Sequence, residues 1–512
     1  MTKNYVLAHD LGTTGNKATL YDREGKLIAS TFQPYDTFFE HPGWAEQNPN
    51  DWWASVCTST RALLTESAVD PYEIACMSFS GQMQGAVAVD ARGMPLHNAL
   101  IWMDQRAVEQ TQSLESRISA EKVYRITGHL LSPAYSLAKM LWLRDHEPEI
   151  YASAYKLLCP KDALVARITG EFVTEPSDAS GMNLYDLERG GWSDVMLAVS
   201  RLDADKLPRL VRSVDVVGEV QPHVEEELGI RAGTPVVIGG GDGACASVGA
   251  RSIKREVAYL YIGSSAWIAN ASVEPFYDEH RRTMTFGHVI PHLYIPMGTM
   301  QTAGAAYQWA RDQLAGEERL HAEQLGVSVY ELMNKVAAAS PAGANDLLFL
   351  PYLMGERSPR WNPDARGVFL GLTMRHTRAD MLRAVMEGVA LNLCAILDVL
   401  LTETGRIQDL YVIGGGATAR LWMQILADVF DMPLTRLAML KEATSMGAAV
   451  VGGVGVGLYE DFSVVHHMNP VREVIDPNPA NRAIYHALYE VFEATYEALK
   501  PLYRQLAVMG KR

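Results

Sequence analysis

The sequence predicts an α/β protein built from two similar halves, and three observations carry that prediction. Residues 5–31 read as a meander: strands Tyr5–His9, Lys17–Tyr21 and Lys26–Thr31, separated by the turns Asp10-Leu11-Gly12-Thr13-Thr14-Gly15 and Asp22-Arg23-Glu24-Gly25. About halfway along, strand, small polar turn and strand recur as Val257–Ile262, Gly263-Ser264-Ser265 and Ala266–Ala271. Both halves also alternate apolar strands with helical patterns, the signature of α/β layers.

The remaining elements follow from periodicity. Pro235–Gly239 reads as a buried strand and Ala244–Ala250 as the helix after it. Leu410–Ile413 reads as a strand, followed by the helical apolar face Leu421, Ile425, Leu426 and Val429. Thr377 with Asp380 reads as an N-terminal cap. The long helix it opens has the stripe Leu382, Val385, Val389, Leu393, Ile396 and Leu400. Tyr485, Leu488, Val491 and Phe492 mark a closing helix. No Pro-, Ser- or Gly-rich linker separates the halves, so the pattern alone sets the expected division, residues 1–250 and 251–512.

Composition narrows the function. A chain of 512 residues accommodates two or three domains. A net charge of −15 without a basic block argues against nucleic acid as a partner. The five cysteines are scattered and form no Cys-x-x-Cys pair, which fits a reducing cytoplasm rather than a disulfide framework or zinc site. His9 and Asp10 interrupt any signal-peptide core, and no apolar run reaches the ~18 residues of a membrane span.

Three glycine motifs point to phosphate chemistry. In Asp10-Leu11-Gly12-Thr13-Thr14-Gly15-Asn16-Lys17, glycines admit a phosphate to the backbone, and hydroxyls and amides donate to it. Asp10 is placed to hold Mg²⁺ and Lys17 adds a cation; a capped hairpin turn is the other reading. Gly239-Gly240-Gly241-Asp242-Gly243 follows a strand and precedes a helix, where a carboxylate can take the proton of an attacking hydroxyl or simply cap the helix. Ile413-Gly414-Gly415-Gly416-Ala417 lets a flat nucleotide moiety lie on the backbone, or makes a tight turn. No Walker P-loop is present, and no Gly-x-Gly-x-x-Gly fingerprint follows the first strand.

In order and spacing these segments resemble the FGGY carbohydrate kinases, a branch of the actin-like (ribonuclease H-like) ATPase fold with two domains around a cleft. Gly263-Ser264 is similar to the family's second phosphate loop, where Thr is more usual. Ser136–Leu143 is similar to its N-terminal signature, with a departure at Ala134. Gly367-Val368-Phe369-Leu370-Gly371-Leu372, Asp380-Met381 and Ala384-Val385-Met386-Glu387 are similar to its C-terminal signature. Trp44–Pro49 with Trp52-Trp53, His146–Ile150, Pro160-Lys161-Asp162, Thr169–Phe172 and Pro351–Arg357 resemble the branch that phosphorylates ketopentoses.

The resemblance implies ATP-dependent phosphorylation of the terminal hydroxyl of a ketopentose, D-xylulose first. Another ketose or polyol (ribulose, L-xylulose, erythritol or glycerol-like), or an actin-like ATPase of sensor type, is the alternative. It implies Asp242 as catalytic base, Asp10 as Mg²⁺ site, and Thr13, Thr14, Lys17, Gly263 and Ser264 near the ATP phosphates. Gly304 and Gln308 would contact the nucleotide, with Gly415, Gly416 and Arg420 near adenosine. Gln82, Met83, Gln84, Trp102 and Asp104 would bind the sugar, and relatives suggest a homodimer. Relatives commonly carry His at position 84 and Asn at 243, where this chain has Gln84 and Gly243, and they differ at Arg420. Gln84 can hydrogen-bond a sugar but cannot carry charge.

Overall fold

The computed structural model describes residues 3–509, the side chains of 403 and 404 apart. Two mixed sheets dominate it. The first comprises β1 (Tyr5–Leu11), β2 (Gly15–Asp22), β3 (Leu27–Pro34), β4 (Ile74–Gly81), β5 (Val216–Glu219) and β6 (Pro235–Gly241), in the order β5-β6-β4-β1-β2-β3. Strands β1, β4 and β6 are parallel, so their carboxyl ends share one edge. The second sheet comprises β7 (Val257–Ile262), β8 (Ala266–Asn270), β9 (Met284–Gly287), β10 (Tyr294–Met300), β11 (Asp409–Ile413), β12 (Leu434–Leu437) and β13 (Val471–Ile475). Its order is β9-β10-β8-β7-β11-β12-β13, with β7, β11 and β12 parallel.

The two orders superimpose. Antiparallel edge strands β5 and β13, parallel pairs β6-β4 and β12-β11, first strands β1 and β7, and meander strands β2 and β8 occupy matching places. The repeated strand-turn-strand of the sequence is therefore one part of a full internal duplication. Helices follow the matching parallel strands: α1 (Pro176–Ser180) packs on β6, and α2 (Asp242–Gly249) continues from it. In the second half lie α3 (Gly304–Leu314), α4 (Arg378–Thr404), α5 (Arg420–Phe430) and α6 (Ala443–Gly455).

Helix α4 starts at a capping box formed by Thr377 and Asp380, as its sequence predicts. It is long and apolar enough to cross a bilayer, yet it is buried in the core of the second half against Leu348–Leu350 and α5. The closing helix spans Arg482–Met509. All five cysteines are buried and free.

Two boundaries differ from the sequence reading. Strand β1 runs on to Leu11, so Asp10 lies in the ladder, opposite Lys17 and Ser80, and the turn shrinks to residues 12–14. Strand β6 runs on to Gly241, and α2 begins at Asp242 rather than Ala244. The cause is a register shift between Val237 and Gly240, centred on Gly239, whose φ is +74°. A Cβ there would lie 1.7 Å from the Phe79 oxygen, so only glycine lets the strand reach Asp242.

The halves meet at α2 and α6, which are matching helices of the duplication. A Cβ on Gly249 would stand 1.8 Å from the Ala443 oxygen, and one on Gly447 would stand 1.9 Å from the Cys245 oxygen. This reciprocal contact places backbone against backbone. Because the intruding atoms are main-chain, they cannot rotate aside. Gly447→Ala should lower stability by about 1–3 kcal/mol through overpacking, read as a fall in melting temperature, whereas Gly457→Ala, with open space around it, should fall less despite its φ of +70°.

Candidate active site

The site lies where the carboxyl ends of β1, β4 and β6 face the second half. Register places Asp10 beside Ser80, and Gly241 beside Gly81, so Asp10 and Asp242 flank the end of β4. Oδ1 of Asp10 is buried and accepts no hydrogen bond. Oδ1 of Asp242 accepts the adjacent Gly243 N–H at 2.7 Å. Burial raises the Asp10 carboxyl to about 6. Burial, and then the charge of Asp10, raises Asp242 to about 7. Two carboxylates with unmet acceptor capacity in one desolvated cleft form a donor set that fits a hard divalent cation.

Tyr261, which the sequence reading missed, reaches this pair from the second half. Burial, with the charges of Asp10 and Asp242, raises its phenol to about 12. Its ring stacks on Trp267 at 4.0 Å and covers Gly263. Beside it, Tyr259 donates to the Gly243 carbonyl at 2.7 Å and tethers β7 to the start of α2. Spaced aromatics in a strand read as core, so nothing local marked them.

The two phosphate-loop motifs occupy matching β-turns. Gly12 N–H bonds the Gly15 carbonyl at 3.1 Å, and Tyr35 donates to the Gly12 carbonyl. Thr13 is partly buried and Thr14 exposed. In the second half, Gly304 N–H donates to the Gly263 carbonyl at 2.9 Å, and Ala303 and Ala305 donate to the Ser264 carbonyl at 2.9 and 3.0 Å. Gly416 packs on Ile262, one residue before Gly263. The fold thus gathers Gly263, Ser264, Gly304, Gly415 and Gly416, with Gln308 exposed one turn along α3.

Two expected nucleotide contacts are engaged elsewhere. Lys17 donates to the Lys441 carbonyl at 2.6 Å, so it joins the halves instead of standing free at the turn. Arg420 pairs with Glu473 at 3.0 Å, although it remains largely exposed at the start of α5.

On the other side, Gln82, Met83, Gln84 and Trp102 come together. Trp102 Nε1 donates to Thr13 Oγ1 at 2.9 Å, which ties these loops to the first turn. Gln82 Nε2 donates to Gln47 Oε1 at 2.7 Å, and its own Oε1 is buried without a partner. Gln47 also donates to the Thr13 carbonyl at 2.7 Å and accepts from Trp52 at 3.0 Å. It is fully buried and acts as the hub, a role hidden in the Trp44–Pro49 segment. Met83 packs where a Cβ on Gly241 would fall, at 2.6 Å. Gln84 holds φ +62°, and its carbonyl accepts Lys139 Nζ at 2.8 Å.

Lys139 also donates to the carbonyls of Ile101 and Ala134, both at 2.6 Å, so one buried ammonium gathers three loops. Asp104 departs from its expected sugar contact. It is fully buried, and its oxygens accept Ala45 N–H at 2.7 Å and Arg106 at 2.7–3.0 Å. Arg106 in turn lies over Trp44 and pairs with Glu46. Asp104 therefore stands behind the loops as their support, with no oxygen free for a ligand.

A duplicated α/β core of this strand order, with matching glycine turns and paired carboxylates at the strand ends, defines the actin-like fold class. The comparisons name its family. Residues 5–249 match the model of the FGGY family of carbohydrate kinases, N-terminal domain, and residues 258–456 match the C-terminal domain. The chain belongs to the FGGY family of carbohydrate kinases and is a sugar kinase, of a family whose phosphoryl donor is ATP. It is 34% identical to a xylulose kinase of Staphylococcus epidermidis over 503 residues, 98% of each chain. It is 31% identical to a gluconokinase of Bacillus licheniformis, again over 98% of each. The solved ligand-bound xylulose kinase of Lactobacillus acidophilus superimposes with a TM-score of 0.91 at 27% identity, covering 98% of this chain and 99% of that one.

The shifted carboxyl has a measurable consequence. Folding raises the affinity of Asp242 for its proton, so ionising it in the ligand-free protein costs stability that grows from about pH 4 to about pH 7. Asp242→Asn should therefore stabilise the ligand-free protein at pH 8 by roughly 1–4 kcal/mol. The gain should vanish toward pH 4, as read by denaturant unfolding at the two pH values.

Proposed function

We propose that the protein transfers the γ-phosphoryl group of ATP to the terminal hydroxyl of a ketopentose, D-xylulose first. The observation that carries the reading is the Asp10–Asp242 pair at the meeting of the sugar-side loops and the two phosphate-type turns. Residues 1–250 would supply the sugar pocket and the first turn, and residues 251–512 the nucleotide loops. Gln82, Gln84 and Trp102 would orient the sugar so that its terminal hydroxyl meets Asp242. Asp242, with its carboxyl near 7, is suited to accept that proton at neutral pH. Backbone amides of residues 13, 14 and 264 would hold the phosphates in line with the attacking oxygen. Asp10 would hold Mg²⁺, which when bound supplies positive charge against the phosphate oxygens. Tyr261 and Trp267 would help close the cleft to water.

Electrostatics favours an uncharged acceptor. The sugar-side amides of Gln82 and Gln84 are neutral, and Arg106 and Lys139 behind them are already engaged by protein groups. An aldonate would add a third carboxylate to a cleft that holds two. ADP production should accordingly be fastest, by kcat/KM, with D-xylulose in a panel containing ribulose, L-xylulose, gluconate, erythritol and glycerol. A preference for gluconate would overturn the choice of substrate but leave the kinase intact. Asp242→Asn should lower sugar-dependent kcat by about 10²–10⁴-fold with ATP binding retained, measured by the same assay and by nucleotide titration.

A further inference from the structure

We infer that Ser177 is a positioning residue for Asp242, held in place by a buried Glu175–Lys161 pair; the inference rests on the reading of Asp242 as general base. The three glycines before Asp242 have no side chains to anchor them, so the strand end must be fixed through its backbone. Two bonds do this. Gly239 N–H donates to the Ser213 carbonyl at 3.1 Å, and Gly241 N–H, one residue before Asp242, donates to Ser177 Oγ at 2.9 Å.

The direction of the second bond is set from below. Ser177 Oγ lies 2.7 and 2.8 Å from the two oxygens of Glu175. A carboxylate has no proton to give, so the serine hydroxyl must donate to it and keep its lone pairs for Gly241. Glu175 also accepts Ser177 N–H at 2.9 Å, Asp178 N–H at 3.0 Å and Ser213 Oγ at 2.8 Å. Lys161 Nζ stands 2.6 Å from Asp162, 3.0 Å from Asp178 and 3.4 Å from Glu175, and all four side chains are fully buried. Cys159, Asp162 and Asp178 have the mutual spacing of a metal site. Lys161 already supplies the cation there, so the cluster serves as an anchor rather than a second metal centre.

The same short segment touches three elements around the site. Ser180 Oγ accepts Gly287 N–H from the second half at 3.0 Å, and a Cβ on Gly181 would come within 3.3 Å of Gln84 Cγ. Helix α1 and its C-cap Gly181 thus join the strand that leads into Asp242, the sugar-side Gln84 and strand β9 of the other half. A structural anchor of the whole fold would not need to end on the one amide beside the proposed base.

The test is steady-state kinetics on the full chain with D-xylulose and Mg-ATP. Ser177→Ala should lower kcat roughly tenfold to a hundredfold, the cost of misplacing a reacting group by about 1 Å, while KM for ATP stays near the wild-type value. The acid limb of the kcat/KM profile should also move to lower pH, since a displaced Asp242 gains solvent. Partial unfolding alone would move neither quantity once activity is divided by ATP-binding sites. Should alanine prevent folding, Ser177→Cys carries the comparison, being nearly isosteric with a weak acceptor. Wild-type kcat and an unmoved acid limb in either folded variant overturn the inference. Asp242→Asn is measured in parallel. Near-normal turnover there removes the general-base reading and this inference with it, whereas an inactive Asp242→Asn beside a normal Ser177 variant removes the inference alone.

Discussion

Two carboxylates that share a desolvated cleft constrain everything around them. Among the described residues neither Asp10 nor Asp242 forms an ion pair with a side chain, and each is held above the ordinary carboxylate range chiefly by burial. Like charges in low dielectric repel, and short of exposing them the ligand-free protein relieves that repulsion only by holding a proton. Ionising both acids in the free protein therefore carries an electrostatic cost, one that a bound cation would offset. Parallel pairing of β1, β4 and β6 brings the acids together. Gly239 lets β6 run on to Asp242. The stacked aromatic pair Tyr261–Trp267 lies on the far side.

Duplication explains how two halves can close on that pair without losing register. The joint is made by matching helices, α2 and α6, touching through glycines with main chain against main chain. Around that contact Ala244, Cys245 and Val248 of α2 pack with Ala443, Met446 and Val450 of α6 in one buried cluster, so the joint is close-packed. Lys17 supplements it by bonding the Lys441 carbonyl at the mouth of the cleft. Its sequence position beside a phosphate-type turn points to a ligand contact. Its side chain instead crosses to the other half, linking the first turn to the segment that opens α6.

Much of the fold was legible because its elements are short and punctuated. Strand-turn-strand in each half, the Thr377–Asp380 cap and the α4 stripe all depend on local chemistry, and all appear in the structure. The ends of β1 and β6 were misjudged because polar and glycine residues continue a ladder whose partners lie far along the chain. The motif residues at strand ends were visible for the same local reason. Gln47, Lys139, Tyr261 and the Lys161–Glu175–Ser177 chain were not, since each gains its role from partners more than one element away. Asp104 shows the opposite failure. The family resemblance implied a ligand contact, but Arg106, two residues on, folds back and fills its oxygens.

The choice of sugar separates from the fold for a structural reason. The sugar-side loops are held by main-chain groups: Lys139 grips three carbonyls, Asp104 and Arg106 brace the segment behind, and Gln82 N–H bonds the Leu11 carbonyl. None of these bonds uses the side chain at position 84 or 243. Gln84 can therefore stand where relatives carry another residue, at φ +62°, without any change in the loop that presents it. Gly243 likewise opens space beside Met83 while its carbonyl keeps the bond from Tyr259. A scaffold whose pocket is fixed by backbone and whose specificity hangs on a few replaceable side chains can carry xylulose and gluconate kinases at similar distance from this chain, 34% and 31% identical. On the reading proposed above, the charge and reach of those few groups would decide the acceptor, and here Gln82 and Gln84 are neutral amides.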